Sequence, residues 1–265
     1  MSNYQNKVVW ITGASSGIGE ALAMAFAKEG AKLVLSSRRA NELNNVKQKL
    51  NINEKNVLVL PLDLADTNSL TNHAAKVIAT FGKIDVLINN GGISQRSWVK
   101  DTPLDIDRKI MEVNFFGTVA LTKAVLPHMI KQNSGQILVI SSIAGKFGFY
   151  LRSAYSASKH ALHGFFESLR MEVYNNNIKV MMACPGKIKT DISLNALNAK
   201  GEKTNLMDES TEKGISAAAC AQGIIKGLNN NKYEIFIGGK EMKSVWIKRF
   251  FPTLFTNLLR KQKAE

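Results

Sequence analysis

The sequence predicts an α/β fold: one domain on a doubly wound parallel sheet of about seven strands, with helices on both faces. Two observations carry this. Short apolar runs alternate with helical patterns from residue 7 to residue 237, as strands buried on both faces require. The first run also ends in a glycine cluster that opens a helix, and sheets of this kind bind ligands beyond the carboxyl ends of their strands.

Residues 7–11 (Lys-Val-Val-Trp-Ile) read as the first buried strand and 17–30 as the first helix. Residues 32–36 form a strand and 40–51 a polar helix. Further strands fall at 57–60, 86–89, 137–140, 179–183 and 234–237, with helices at 69–81, 103–133 (read as two), 153–175 and 216–229. No low-complexity tract, internal repeat or linker interrupts the 265 residues, so residues 1–240 are expected to form a single dinucleotide-binding and catalytic domain. Residues 241–265 form a basic amphipathic extension.

The N-terminal segment lacks an apolar signal region, and no apolar run approaches bilayer length. With only Cys184 and Cys220 there is no disulfide framework, and a reducing, cytoplasmic setting is expected. Cys184, ending a strand, reads as a small core residue. A formal charge of +14 admits an anionic cofactor, an acidic membrane surface or nucleic acid. The lysines are spread rather than clustered with aromatics, so no nucleic-acid partner is expected.

The glycine cluster runs Thr12-Gly13-Ala14-Ser15-Ser16-Gly17-Ile18-Gly19. Glycines there allow a tight turn and let a pyrophosphate approach the backbone, facing the N–H groups of the helix. Between a strand and a helix this is a dinucleotide site on a Rossmann-type sheet. Where an NAD-preferring site carries an acid, after the second strand, the chain reads Ser36-Ser37-Arg38-Arg39. Two guanidiniums and no carboxylate favour NADP(H), with Ser37 and Arg38 nearest the 2′-phosphate; a solvated pair of arginines is the plainer reading. Further on, Tyr155 and Lys159 lie four apart on a helix and share a face. An ammonium beside a phenol favours the phenolate, which makes a tyrosine able to exchange a proton near neutral pH.

The Thr-Gly-x-x-x-Gly-x-Gly spacing, with Asn89-Asn90-Gly91-Gly92, Asn114, Ser142, Tyr155/Lys159 and Pro185-Gly186-Lys187-Ile188-Lys189-Thr190, resembles the classical short-chain dehydrogenase/reductase family over roughly residues 7 to 240. Asn90-Gly-Gly-Ile-Ser-Gln-Arg-Ser97 and Ser156-Ala-Ser-Lys-His-Ala161 look most like its branch named dehydrogenase/reductase family member seven. The resemblance implies hydride transfer between a nicotinamide and a carbonyl carbon. Tyr155 would then be the general acid/base, Lys159 would lower its pKa and hold the nicotinamide ribose, and Ser142 would bond the substrate oxygen. Asn114 would hold a water joining Lys159 to solvent.

It also implies a cofactor site of Gly13, Ser15, Ser16, Gly17, Ile18, Gly19, Ser37, Arg38, Asp63, Leu64, Asn90, Gly91, Tyr155, Lys159, Pro185, Gly186, Ile188 and Thr190. Asp63 would lie beside the adenine; capping the following helix is its other reading. Ser16 departs from the pattern, since many NADP-dependent relatives are basic there, and Arg38 would carry most of the discrimination. Ser141 competes with Ser142 chemically, and Asn114 also suits a break between two helices. His73, His128, His160 and His163 lack metal-ligand spacing and read as surface or helix-face residues, so no metal is expected. The resemblance further implies a homodimer or homotetramer.

Residues 143–151, with Phe147 and Phe149, favour a hydrophobic ketone, aldehyde or alcohol over a sugar or a charged acid; inward packing of the two rings is equally compatible. Residues 191–213 read as a polar, mobile lid. In the extension, Ile247, Phe250, Phe251, Leu254, Phe255, Leu258 and Leu259 recur at helical spacing among Lys243, Lys248, Arg249, Arg260, Lys261 and Lys263. Seven basic against two acidic residues in 240–265 give a net +5, and Pro252 divides or starts a helix. Such a tail suits peripheral contact with an anionic membrane, or packing on the body or a partner subunit.

Two other classes share parts of this pattern. A non-catalytic dinucleotide-sensing scaffold would keep the glycine turn but lose part of the Asn114/Ser142/Tyr155/Lys159 set. An epimerase or dehydratase would use the same Tyr/Lys chemistry with different glycine spacing and a longer C-terminal domain.

Overall fold

Val9 and Ile11 face one side of the first strand and Val8 and Trp10 the other, so both sides must be covered. The computed structural model, which describes residues 3–261, meets that demand with seven parallel strands between two helical layers. The elements are β1 (Val8–Thr12), α1 (Gly17–Lys28), β2 (Lys32–Ser36), α2 (Ala40–Lys49), β3 (Val57–Val59), α3 (Leu70–Phe81) and β4 (Val86–Asn89). The chain continues through α4 (Leu104–Met111), α5 (Gly117–Gln132), β5 (Gly135–Ile140), α6 (Ser153–Glu172), β6 (Ile178–Pro185), β7 (Ile188–Lys189) and α7 (Glu209–Glu212). It ends with β8 (Ile215–Ser216), α8 (Ala217–Asn229), β9 (Glu234–Ile237), α9 (Lys243–Phe250) and α10 (Pro252–Arg260).

The sheet order is β3-β2-β1-β4-β5-β6-β9, and β7 and β8 form a separate two-stranded ribbon. The order reverses between β1 and β4, where a crevice opens beyond the strand ends. Leu22 and Phe26 of α1, Leu43 of α2 and Ile224 of α8 cover the Val9/Ile11 face. Leu70 of α3, Leu121 and Val125 of α5, and Leu162 and Phe166 of α6 cover the face of Val8 and Trp10.

The two helices expected in 103–133 are one. A π turn, Glu112–Phe116, joins α4 to α5 without a break, and Asn114 sits inside it rather than at a boundary. A π turn widens the helix by one residue instead of ending it, so a periodic pattern that slips can still be continuous. The fused helix, Leu104–Gln132, is 29 residues long. By length and composition alone it could cross a membrane, which the shorter readings did not show, but half of its apolar window is buried against the rest of the chain. The lid residues 191–213 are also tied down. Leu197 packs on Ile106, Ile110 and Ala154, and its backbone bonds Ser94 and Arg96.

A glycine sets the distance between α5 and the loop after β3. A Cβ on Gly117 would lie 2.2 Å from the Leu64 carbonyl oxygen, which is backbone and cannot yield cheaply. Gly117→Ala is therefore expected to cost about 1–3 kcal/mol in urea unfolding; an unchanged midpoint would show that the loop yields freely.

Candidate active site

The glycine turn at the end of β1 is bent by two left-handed residues, Gly13 (φ +64) and Gly17 (φ +59). It folds back so tightly that a Cβ on Gly19 would sit 2.2 Å from the Gly13 carbonyl oxygen and 2.6 Å from the Asn90 amide nitrogen. Asn90 Nδ2 donates to the carbonyls of Thr12 (2.9 Å) and Gly13 (3.2 Å). In return the Thr12 hydroxyl accepts from the Asn90 and Gly91 amides, at 3.0 and 2.9 Å. Leu64 closes the wall, its Cδ1 2.7 Å from where a Gly91 Cβ would be. Ser16 precedes α1 in an extended conformation and makes no side-chain cap, so the first N–H groups of the helix face the turn without an internal acceptor. Ile18, half-buried, continues the opening turn of α1. A bare-backbone cradle at a helix N-terminus fits a pyrophosphate.

Across this turn lies Arg39, not Arg38. Its Nη2 donates to Ser15 Oγ (2.9 Å) and Ser16 Oγ (3.2 Å), while its backbone amide donates to Ser37 Oγ (3.1 Å). Arg38 is exposed and makes no side-chain bond among the described residues. Asp63 accepts from the Ala65 amide at 3.0 Å, so it shapes its own turn and does not cap α3. On the far side Thr190 reaches over the turn, its Cγ2 3.0 Å from a hypothetical Gly17 Cβ. Pro185 ends β6, and Gly186 leaves room for Met242 and Glu241. The Ile188 side chain is buried in the core with α1 and α8, so only its backbone is available to a ligand.

Tyr155 and Lys159 stand one turn apart on α6, the Lys159 Nζ 5.7 Å from the centre of the phenol ring. Lys159 is buried and donates to the Ile140 carbonyl at 2.8 Å; burial pushes its pKa down to about 8. Burial pushes the Tyr155 phenol up, opposed by a hydrogen bond with Ser142 and by the Arg152 guanidinium. The pull toward phenolate thus comes here from Ser142 and Arg152, whereas Lys159 is drawn to β5. Ser142 lines the cleft, but Ser141 turns away to the Lys159 carbonyl and His163, which separates the two serines. Asn114 is fully buried. It bonds both the N–H and the C=O of Ile93 (2.8 and 2.9 Å) and the Ser158 hydroxyl (3.0 Å), so it joins the fused helix to the β4 loop and to α6.

The cleft beside Tyr155 has a volume of about 680 Å³ and is walled by Ile143, Phe149, Ile192, Ile215 and Leu259, with Lys187, Lys213 and Glu209 among its charged residues. Phe147 does not line it. Its ring packs on Phe149 and Phe255, 4.8 and 4.7 Å between centroids, as an anchor for the C-terminal helices. A smaller cavity, about 420 Å³, lies at the opposite, amino ends of β4 and β5, remote from these groups.

A family profile described as short chain dehydrogenase matches residues 7–201. The chain belongs to the short-chain dehydrogenase/reductase family. It is 44% identical over 261 residues to a Drosophila melanogaster protein named "Dehydrogenase/reductase SDR family protein 7-like", covering 97% of this chain and 80% of the relative. The human "Dehydrogenase/reductase SDR family member 7" is 42% identical over 267 residues, covering 97% and 79%. A short-chain dehydrogenase/reductase from Burkholderia phymatum, solved in complex with NAD, superposes with a TM-score of 0.85 over 96% of both chains at 23% identity.

In this short-chain dehydrogenase/reductase several side chains around the site carry no motif. Asp208, on the lid, receives Arg96, Arg152 (2.5 Å) and the Ser193 hydroxyl (2.9 Å), all largely buried. Arg152 also donates to the Gln95 carbonyl, and Gln95 Oε1 accepts the Ala154 amide (2.8 Å) at the start of α6. The lid, the β4 loop and the helix of Tyr155 are thereby joined through one cluster. No spacing in the sequence links Arg96, Arg152 and Asp208, which are 56 residues or more apart from the acid.

His163 is likewise buried rather than superficial. It lies 3.0 Å from Ser141 Oγ and 3.3 Å from Lys146 Nζ. Its ligand atoms and those of Cys184 and Glu234 fall within 4.8 Å of one another, a potential metal trio. The Lys146 ammonium already occupies Glu234 at 2.5 Å, so the group closes as a hydrogen-bonded network. Burial first, then Lys146, pushes the His163 pKa down to about 3, so the imidazole is neutral and its 3.5 Å approach to Glu234 is no ion pair at neutral pH. The unfolded chain takes up a proton near the ordinary histidine value while the folded chain does not, so stability falls as pH drops from about 6.5 toward 3. His163→Gln is expected to flatten that part of the melting-temperature profile. An acid limb identical to wild type would assign the loss to other groups.

Proposed function

We propose that this protein is an NADP(H)-dependent oxidoreductase that interconverts a hydrophobic ketone or aldehyde and its alcohol, with Tyr155 as the general acid/base. The observation that supports it most is that Ser142 and Tyr155 line one cleft, with Lys159 one turn along α6 from Tyr155 and bonded to the last residue of β5. Gly13–Gly19, Asn90, Gly91 and Thr190 would hold a nicotinamide cofactor, which would supply or accept the hydride.

The chain's own residues do the rest. Ser142 and Tyr155 both offer a hydroxyl to a carbonyl oxygen entering the cleft, and their donors stabilise charge as it develops there. The raised Tyr155 pKa keeps the phenol protonated at neutral pH, as a proton donor for reduction requires. Lys159, with its pKa brought down to about 8, can restore that proton under mild conditions. Ile143, Phe149, Ile192 and Leu259 give the cleft apolar walls, which favour an apolar substrate.

The Arg39 guanidinium over Ser15 and Ser16 supports the NADP(H) reading: it brings positive charge to the place where Ser16 brings none. A homodimer or homotetramer is supported by exposed Leu104 and Phe116 on the fused helix and Met171 on α6. Two buried free cysteines, Cys184 and Cys220, suit a reducing, cytoplasmic setting.

An NADPH-consumption screen across hydrophobic ketones, aldehydes and quinones tests the reaction. Tyr155→Phe is expected to lose roughly 10²–10⁴-fold in turnover while still binding NADPH, and activity surviving that change would overturn the mechanism. Arg39→Ala should weaken NADPH binding by about ten- to a hundredfold and leave NADH nearly unaffected; equal losses for both would remove the charge argument.

A further inference from the structure

The C-terminal helices carry more apolar surface than their attachment uses. In α10, Phe255 and Leu259, four apart, pack toward Ile143 and Phe147 and hold the helix to the body. One residue earlier in each turn, Leu254 and Leu258 form a second stripe that is 52% and 46% exposed. The same doubling occurs in α9. Val245 and Ile247 pack inward, while Trp246 and Phe250 stack on each other (6.2 Å, 6° between planes) at 59% and 64% exposure. Phe251, 62% exposed at the break between the helices, joins the two outer stripes.

The charge around this face has one sign. Residues 243–261 contain Lys243, Lys248, Arg249, Arg260 and Lys261 and no acidic residue, and all five cations are exposed. None of the five makes an ion pair or side-chain hydrogen bond among the described residues. Lys263 lies outside them. The acid just before this segment, Glu241, is pushed up by burial but accepts from the Lys187 and Gly239 amides, which together with other contacts hold its carboxyl below the usual range.

We infer that this face docks the protein on an anionic lipid bilayer, with Trp246, Phe250, Phe251, Leu254 and Leu258 in the headgroup boundary and the five cations against lipid phosphates and carboxylates. An interfacial helix combines these same two features, aromatic and leucine side chains on one face and lysine or arginine beside them. A second copy of the chain fits less well. A two-fold contact brings a patch against itself, so unpaired cations would meet unpaired cations. An anionic surface gives each of them a partner. The docked face is continuous with the cleft, because α10 presents Leu259 to the cleft wall and Leu258 outward. This inference stands apart from the NADP(H) reading and needs no turnover to test.

The experiment is co-sedimentation of the full chain with vesicles of phosphatidylcholine alone and of phosphatidylcholine mixed with phosphatidylserine. Wild type is expected in the pellet with the anionic vesicles and to be released by high salt. Trp246 emission should shift to the blue in a Trp98→Phe background, where the only other tryptophan, Trp10, is fully buried. Lys248→Glu with Arg249→Glu should weaken partitioning by at least about tenfold. Trp246→Ser with Phe250→Ser and Leu254→Ser should abolish the bound fraction, with an unchanged far-ultraviolet circular dichroism spectrum as the check of folding. Wild type remaining in the supernatant would overturn the inference, as would variants that bind like wild type. If the apolar substitutions instead halve the particle mass in the absence of lipid, the face is a subunit interface and the inference also fails.

Discussion

The exchange of hydrogen bonds between Thr12 and Asn90 closes the crevice between β1 and β4, and the rest of the site hangs from that closure. Parallel strands expose their carboxyl ends in one row, and the reversal of strand order leaves a gap there. Asn90 spans the gap to the Thr12 and Gly13 carbonyls, and Thr12 returns a hydroxyl to the Asn90 and Gly91 amides. With that seam fixed, the glycine turn is held open and the β4 loop is aimed at Asn114. Asn114 in turn grips Ile93 and the Ser158 hydroxyl on the helix of Tyr155 and Lys159. Hydrogen bonds therefore connect the glycine turn, through the β4 loop, to the helix of Tyr155.

Burial is the largest cause of each large pKa shift around the site, but its sign depends on the group. It raises Tyr155 and Cys184, whose charged forms are anions, and lowers Lys159 and His163, whose charged forms are cations. The result is a region in which phenol, thiol and imidazole are all neutral and one ammonium is easily deprotonated. Charge is then restored selectively. Arg152 stands near Tyr155, and Asp208 from the lid answers Arg152, so the electrostatics of the tyrosine depend on where the lid is seated.

Most of the fold could be read from the residues because buried strands and amphipathic helices are local patterns. Strand positions agree to within one or two residues, as with 179–183 inside the observed Ile178–Pro185. What was not legible shares a cause. The single helix through Asn114 was read as two because a π turn shifts the apolar phase without stopping the chain. Phe147 stayed open between a substrate wall and inward packing, because an aromatic at that spacing looks alike whether it faces a cleft or Phe255. Which of Arg38 and Arg39 bonds the serines of the glycine turn rests on the path of a loop, and the structure places Arg39 there.

The sequence by itself determined the seven-stranded parallel sheet and the family, because strand burial and motif spacing are properties of the chain. Only the tertiary structure decided how the titratable groups are tuned and what the outer surfaces offer. The Arg96–Asp208–Arg152 cluster, the neutral His163 and the second apolar stripe of the C-terminal helices each depend on residues distant in sequence meeting, or failing to meet, in space. Burial and partner choice are pairwise quantities, and a one-dimensional pattern records only one member of each pair.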